Sequence, residues 1–276
     1  MSAHELDHLA IAVPAWAPAG SLLNRELGAR WASGFRMEAF NPCQLAVAED
    51  MRLELLEPGS GERSFIRRFL SEGNGAAAPH HITFKVHDIH AAITAAQEAG
   101  IKPILLRLDH PQWKEAFLHP RDTGLGFLAQ MVQAPQSVED ITGETIGGPP
   151  CPWQENGPEP LRVPLIHGTV ANLQQARRVL CGVLGAGETP VGDNLEAAAF
   201  HWAEGAWLVL TQTADGQAGP PPPHGIDTIL AVPADGPWHP RGQLALLPEL
   251  LAAGTAHPEI GLRIATVGAP PGPPGP

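Results

Sequence analysis

Short strand-like runs alternate with single amphipathic helix-like runs along this chain, and the alternation repeats. In DHLAIAV (7–13), Leu9, Ile11 and Val13 share one face and His8, Ala10 and Ala12 the other. HHITFKV (80–86) has the same form, with Ile82, Phe84 and Val86 opposed to His81, Thr83 and Lys85. A helix-like stretch follows each run and ends at Gly28 or Gly100. In the second of these, Ile89, Ala92, Ile93 and Ala96 form an i, i+3, i+4, i+7 stripe, Asp88 is placed to cap its start, and Gly100 to supply the left-handed residue past its end. Further strand-like runs come next, CQLAVAEDMRLELLEP (43–58) and EAFLHPRDTGLGFLAQMVQ (115–133), so both units read β-α-β-β-β. Between them SFIRRFLSEG (64–73) carries Phe65, Ile66, Phe69 and Leu70 at helical spacing and reads as a connector.

The pattern returns in the second half. LIHGTVANLQQARRVLCGVLGAG (165–187) repeats strand, helix and glycine, with Leu173, Ala176, Leu180 and Val183 as the helical stripe. WLVLTQ (207–212) resembles RLELLE, and GIDTILAV (225–232) follows the prolines at 220–223. A helix-like ALLPELLAAG and a strand-like LRIATV close the set. The expected fold class is therefore α+β: four tandem βαβββ modules in two domains, residues 1–135 and 163–268. Residues 136–162, Pro/Gly-rich and acidic, are expected to link them, and the proline-rich tail 269–276 to be disordered.

Composition narrows the function classes. With 276 residues, 43% hydrophobic and 17% charged, the chain is globular in character and long enough for two cores. Its formal charge of −12, with no basic run to offset it, argues against nucleic acid and anionic membrane surfaces as partners. Cys43, Cys151 and Cys181 are scattered and show no C-x-x-C spacing, so neither a disulfide framework nor a thiolate zinc site is expected, and a reduced, cytoplasmic location is. No secretory signal or membrane-spanning run is expected. Monomer and homodimer both remain open.

Superposing the first two units sets His8 on His81 and Glu54 on Gln130, at nearly equal separations within each unit. A helix has to cover the bulky face of each first strand, which makes the histidine face the concave one, with small Ala10 and Ala12 leaving room for a ligand. In the second half the matching positions are read as His167, Val209, Asp227 and Ala265, two of which cannot bind a metal.

Carried by DHLAIAV, by ELLEP with its following helix and HHITFKV, and by AFLHPRDTG, residues 6–133 resemble the vicinal oxygen chelate superfamily of glyoxalases, bleomycin-resistance proteins and extradiol dioxygenases, and within it the methylmalonyl-CoA epimerase-like branch. The resemblance implies cupped mixed sheets and a divalent metal ion (Zn, Ni, Co, Mn or Fe) held by His8, Glu54, His81 and Gln130. It implies a small-molecule substrate such as an acyl-CoA thioester or a 2-oxo acid. Proton transfer would fall to Glu54 or Glu38, and Thr83, Lys85, Trp113 and His119 are the candidate pocket residues. The sequence departs from the epimerase pattern at Gln130, where a glutamate is expected; an amide can coordinate but cannot take a proton. The function so implied is a metal-dependent isomerase or lyase. The alternatives are a drug- or metabolite-binding protein without chemistry and, behind it, a dioxygenase.

Overall fold

Two mixed sheets with few helices make up the protein, as an α+β chain of tandem modules requires. The computed structural model describes residues 4–49, 51–134, 148–191, 196–213, 225–236, 238 and 240–267. The first unit runs β1 (Glu5–Ala12), α1 (Trp16–Leu27), β2 (Arg30–Gly34), β3 (Phe40–Ala46), β4 (Arg52–Pro58), then the connector α2 (Phe65–Glu72). The next runs β5 (Ala78–Lys85), α3 (Ile89–Glu98), β6 (Ile104–Arg107), β7 (Lys114–Leu118), the short α4 (Pro120–Thr123) and β8 (Leu128–Gln133). Their strands form one eight-stranded sheet in the order β2-β3-β4-β1-β5-β8-β7-β6. Each first strand pairs in parallel with the last strand of its own unit, and β1 pairs with β5 antiparallel at the centre.

The second half repeats this with β9 (Arg162–Val170), α5 (Leu173–Gly182), β10 (Gly187–Pro190), β11 (Ala197–His201), β12 (Trp207–Gln212) and β13 (Ile226–Val232). After it come α6 (Pro240–Ala245), α7 (Leu247–Ala253), β14 (Thr255–His257) and β15 (Leu262–Thr266). Among the described residues the order is β10-β11-β12-β9-β13-β15-β14, with one strand fewer in the last unit than in the others.

Local signals act as the pattern predicts. The Asp88 carboxylate accepts from the His90 and Ala91 amides, Ile89, Ala92, Ile93 and Ala96 are buried, and Gly100 adopts a φ of +77°. Asn172 caps α5 in the same way, accepting from the Gln175 amide.

The bulky faces of both sheets share one core. Leu9, Ile11, Leu53, Leu55, Ile82, Phe84 and Met131 of the first sheet and Ile166, Phe200, Leu208, Leu210 and Ile229 of the second belong to a single buried cluster with α1, α3 and α5. Within it the rings of Phe84 and Trp202 meet at 5.0 Å.

Two sequence expectations need correction. The segment expected as a linker is, over 148–161, a strap fastened along α1 and β2. The Gly157 amide donates to Asn24 Oδ1 (2.8 Å), the Leu161 amide to the Leu27 carbonyl (2.8 Å), and the Ala48 amide to the Leu161 carbonyl (2.9 Å). The Trp153 ring sits edge-on to Trp31 at 5.3 Å and lies so close over Gly20 that a Cβ there would collide with it. Proline and glycine left no periodicity to read, yet one tryptophan and a few backbone bonds suffice to pin the segment. The remainder of the proposed linker, the prolines 220–223 and the tail 269–276 lie outside the described residues.

Ala10 and Ala12 do not leave open space. They are buried beneath Ile66 and Leu70 of α2 together with Leu56, so the connector fills one end of the concave face. No helix among the described residues is long and apolar enough to cross a membrane.

A core common to both sheets should unfold as a unit. Urea unfolding followed by far-ultraviolet circular dichroism and by tryptophan fluorescence is expected to give one coincident transition, and Phe84→Ala to lower the stability by about 3–5 kcal/mol. Two separated transitions, only one of them shifted by the substitution, would show that the sheets are held independently.

Candidate metal centre

Two rungs of the first sheet build the centre. On one, His8 lies between Arg52 of β4 and Thr83 of β5, and Thr83 is opposite Gln130 of β8. Two residues along, Ala10 lies between Glu54 of β4 and His81 of β5, and Glu54 is opposite Gln44 of β3. Residues two apart on a strand share a face, so all these polar side chains stand on the concave side.

His8 Nε2 is 3.6 Å and His81 Nε2 3.7 Å from Glu54 Oε2, and the nearest ligand atoms of the three lie within 4.8 Å of one another. Among the described residues no other three His, Cys, Asp or Glu side chains gather in this way. Donors bonded to one ion at about 2.0–2.2 Å stand roughly 3–3.5 Å apart, so the spacing fits a single divalent cation. Gln130 joins through its amide: Oε1 accepts from Thr83 Oγ1 (2.5 Å) while Nε2 donates to Glu115 Oε2 (2.7 Å), which turns the oxygen toward the centre.

The two histidines differ in their protons. Burial by itself would lower the His8 pKa, but the Asp7 carboxylate at Nδ1 (2.6 Å) and Glu54 near Nε2 outweigh it and raise it to about 9. Burial would push Asp7 up, yet His8 and then Lys85 hold its carboxyl well below the usual range. His81 goes the other way: burial, then the neighbouring His80 and His8, push it well below the ordinary histidine value. The hydrogen bonds follow in one direction. Charged His8 donates to Thr83 Oγ1 (2.9 Å), Thr83 to Gln130 and Gln130 to Glu115, which also receives the Trp113 indole N–H (3.0 Å). A proton on His8 thus stands in the place where a metal would bind, and neutral His81 faces a carboxylate across a gap that suits a cation.

The structure brings His8, Glu54, His81, Thr83 and Gln130 together. Trp113 reaches the centre only through Glu115, and Lys85 only through Asp7, its Nζ lying 2.8 Å from Asp7 and 2.7 Å from Glu5. Burial would lower the Lys85 pKa, but those carboxylates raise it.

Glu38 is not with them. It lies exposed in the turn between β2 and β3, its carbonyl accepting from the Gly61 amide, because the chain leaves strand geometry there. His119 caps α4, its Nδ1 accepting from the Arg121 amide (3.2 Å), as a histidine before proline in a turn can. Sequence reasoning missed Asp7, His80, Gln44 and Glu115. Of these, Asp7 beside His8 and His80 beside His81 were signalled by adjacency alone. Gln44 donates to Glu54 Oε1 (3.0 Å).

The second cup has the fold without the ligands. By register, Val209 is opposite His167 as Arg52 is opposite His8, so Thr211, two residues on, corresponds to Glu54. Thr228 is opposite His167 as Thr83 is opposite His8, so Arg263, opposite Thr228, corresponds to Gln130, while a register shift beside Thr228 turns Ile226, opposite Gly168, into the shared core and leaves Asp227 at the His167 ring. The matches to Val209 and Ala265 read from the sequence are thus off by two positions, because apolar alternation fixes the face of a strand but not its register. His167 Nδ1 donates to the Asp227 carboxylate (2.8 Å) and its Nε2 shares a hydrogen bond with Thr211 Oγ1 (3.0 Å), while Arg263 donates to the Gly254 carbonyl. The rest of this face is apolar: Leu165, Val209, Leu230 and Ala265 pack under Leu244 and Leu247 of α6 and α7.

Comparison with known proteins agrees with this architecture. The family profile described as Glyoxalase/Bleomycin resistance protein/Dioxygenase superfamily matches residues 7–117. An ethylmalonyl-CoA/methylmalonyl-CoA epimerase from Cereibacter sphaeroides is 34% identical over 134 residues, which is 46% of this chain and 96% of that protein. Along nearly the whole chain the fold is similar to a hypothetical protein from Staphylococcus aureus (TM-score 0.60, 9% identity, 96% of this chain and 99% of that one). It is similar also to a variant of 4-hydroxymandelate synthase from Streptomyces coelicolor (TM-score 0.56, 12% identity, 84% and 71%). With a relative of this identity aligned over almost its full length, the chain belongs to the vicinal oxygen chelate superfamily that unites glyoxalases, bleomycin-resistance proteins and dioxygenases.

Proposed function

We propose that this protein is a metal-dependent isomerase or lyase of the glyoxalase/epimerase type, acting on a small oxygenated substrate by moving a proton from the carbon beside a carbonyl. The observation that carries this reading is the convergence of His8, Glu54 and His81 on one buried point of the concave face. These three, with Gln130 through Oε1, would hold a divalent ion, for which zinc, nickel, cobalt, manganese and iron all suit the N/O donor set. The ion would supply Lewis-acid stabilisation of negative charge as it develops on the substrate's oxygen. An acyl-CoA thioester is the substrate class to test first, on the similarity to an ethylmalonyl-CoA/methylmalonyl-CoA epimerase.

The chain's own groups define what proton chemistry follows. Asp7 is committed to His8 and Lys85, and Glu115 to Gln130 and Trp113. Gln44, which donates to Glu54, and Gln130, which donates to Glu115, are amides and cannot take a proton. Among the described residues Glu54 is therefore the carboxylate left to act as base. Inversion at carbon needs proton delivery to the opposite face as well; one carboxylate serves one face. The reading is thus of proton removal and return on the same side, giving exchange or a shift along the substrate rather than epimerisation. The second half, whose cup is filled by its own helices, serves as packing partner to the first.

Element analysis of the purified protein is expected to find about one divalent ion per chain, lost in both His8→Ala and His81→Ala. Metal content unchanged in both variants would sink the proposed centre. Because the His8 pKa is raised to about 9, its proton stabilises the metal-free fold fully below the unfolded value near 6.5, and that contribution disappears as pH climbs through 9. Metal uptake at pH 7 is expected to expel about one proton, and affinity to rise about tenfold per pH unit until His8 is neutral. Calorimetry in buffers of different ionisation enthalpy reads both, and uptake with no proton released would contradict the assignment of His8 as charged. Single enantiomers of 2-alkylmalonyl-CoA in D₂O are expected to gain deuterium at C2 without inversion. Inversion keeping pace with exchange would reveal a second acid, whereas tight binding with no exchange would favour the non-catalytic binding protein.

A further inference from the structure

We infer that His80 is a positioning residue of the metal centre: its Nδ1 is the hydrogen-bond acceptor that holds His81 in the tautomer able to bind an ion. This rests on the metal centre proposed above. The two Nδ1 atoms are 2.8 Å apart, so one proton lies between them. Were His80 to supply it, a neutral His81 would carry its own proton on Nε2 and present no lone pair to the centre. With His81 as donor, Nε2 keeps its lone pair, 3.7 Å from Glu54 Oε2, and His80 carries its proton on its far nitrogen. Of the two arrangements, the second alone makes His81 a ligand.

The structure fixes His80 for this task from a distance. Phe69 of α2 meets its ring edge-on at 4.8 Å and Phe65 tilts against it at 5.8 Å, while His81 itself is at 5.1 Å. The connector helix, which also covers Ala10 and Ala12, thereby becomes part of the site. His8 has the corresponding support from Asp7, but that partner is a carboxylate, whereas an imidazole that accepts at Nδ1 carries no charge. A neutral acceptor orients the ring without adding a second negative charge behind the centre, which leaves more of the ion's charge for an anionic ligand.

The test uses cobalt(II) affinity of the full-length protein, measured by chelator competition together with the visible absorption of the bound ion. His80→Leu, whose side chain still packs against Phe65 and Phe69, is expected to weaken binding about 10- to 100-fold. His80→Asn should recover most of the loss, since the asparagine Oδ1 stands on Cγ as the histidine Nδ1 does, and should restore the absorption spectrum. Equal affinity in all three proteins overturns the inference. A loss in both variants, with no rescue by asparagine, marks a packing role and overturns it as well. A wild-type protein that binds no cobalt, or binds it equally after His81→Ala, overturns the metal centre itself and this inference with it.

Discussion

Antiparallel pairing of β1 with β5, with His8 opposite Thr83 and Ala10 opposite His81, joins the two units of the first cup and sets the distance between its histidines. Each strand then pairs in parallel with the last strand of its own unit, which carries Glu54 to one side of the pair and Gln130 to the other. No loop delivers a ligand; all four candidates stand on strands whose opposite faces are buried in the core. A slip of one residue in this pairing would turn His8 into that core and Leu9 onto the polar face, so the register that buries the apolar residues also assembles the site. Packing and chemistry are in this way specified by the same alternation.

Burial then decides how the polar groups behave. A charged His8 inside the sheet is tolerable because Asp7 faces it at 2.6 Å and Lys85 in turn faces Asp7, a chain of alternating charge that leads from the centre toward the strand ends. His81 has no carboxylate behind it and stays neutral. Two imidazoles that look equivalent in the sequence are therefore one cation and one neutral base, separated by what lies on their Nδ1 atoms. The same low-dielectric setting strengthens the attraction of the Glu54 carboxylate for a cation of either kind, proton or metal.

Much of this was legible before any coordinates. Duplication placed His8 with His81 and Glu54 with Gln130, because residues that share a face in a repeated unit come together when the units pair. What the sequence concealed were partners whose geometry depends on side-chain direction. Asp7 and His80 lie next to ligands and should point away by simple alternation, but a bulge between Leu6 and His8 and another between Ala10 and Ile11 break it. Gln44 and Glu115 sit on flanking strands whose register no pattern of apolar residues reveals. Glu38 showed the converse: proximity in sequence to a strand did not carry it into the cup.

The second cup indicates what keeps such a site and what removes it. His167 retains an acidic partner at Nδ1, yet Thr211 stands in the place that Glu54 holds in the first cup. Arg263 takes the amide's position, and a guanidinium there offers donors only and repels a metal ion. With no ion or ligand to solvate, an open polar cup would gain nothing from staying open, and Leu244 and Leu247 close it over Leu165, Val209 and Leu230. In the first cup apolar cover is confined to Ala10, Ala12 and Leu56 under Ile66 and Leu70, and extending it across His8, Glu54 and His81 would strand their polar atoms at a cost of several kcal/mol. The contrast between the two faces of one chain is thus that the first keeps a buried polar cluster where the second has apolar packing.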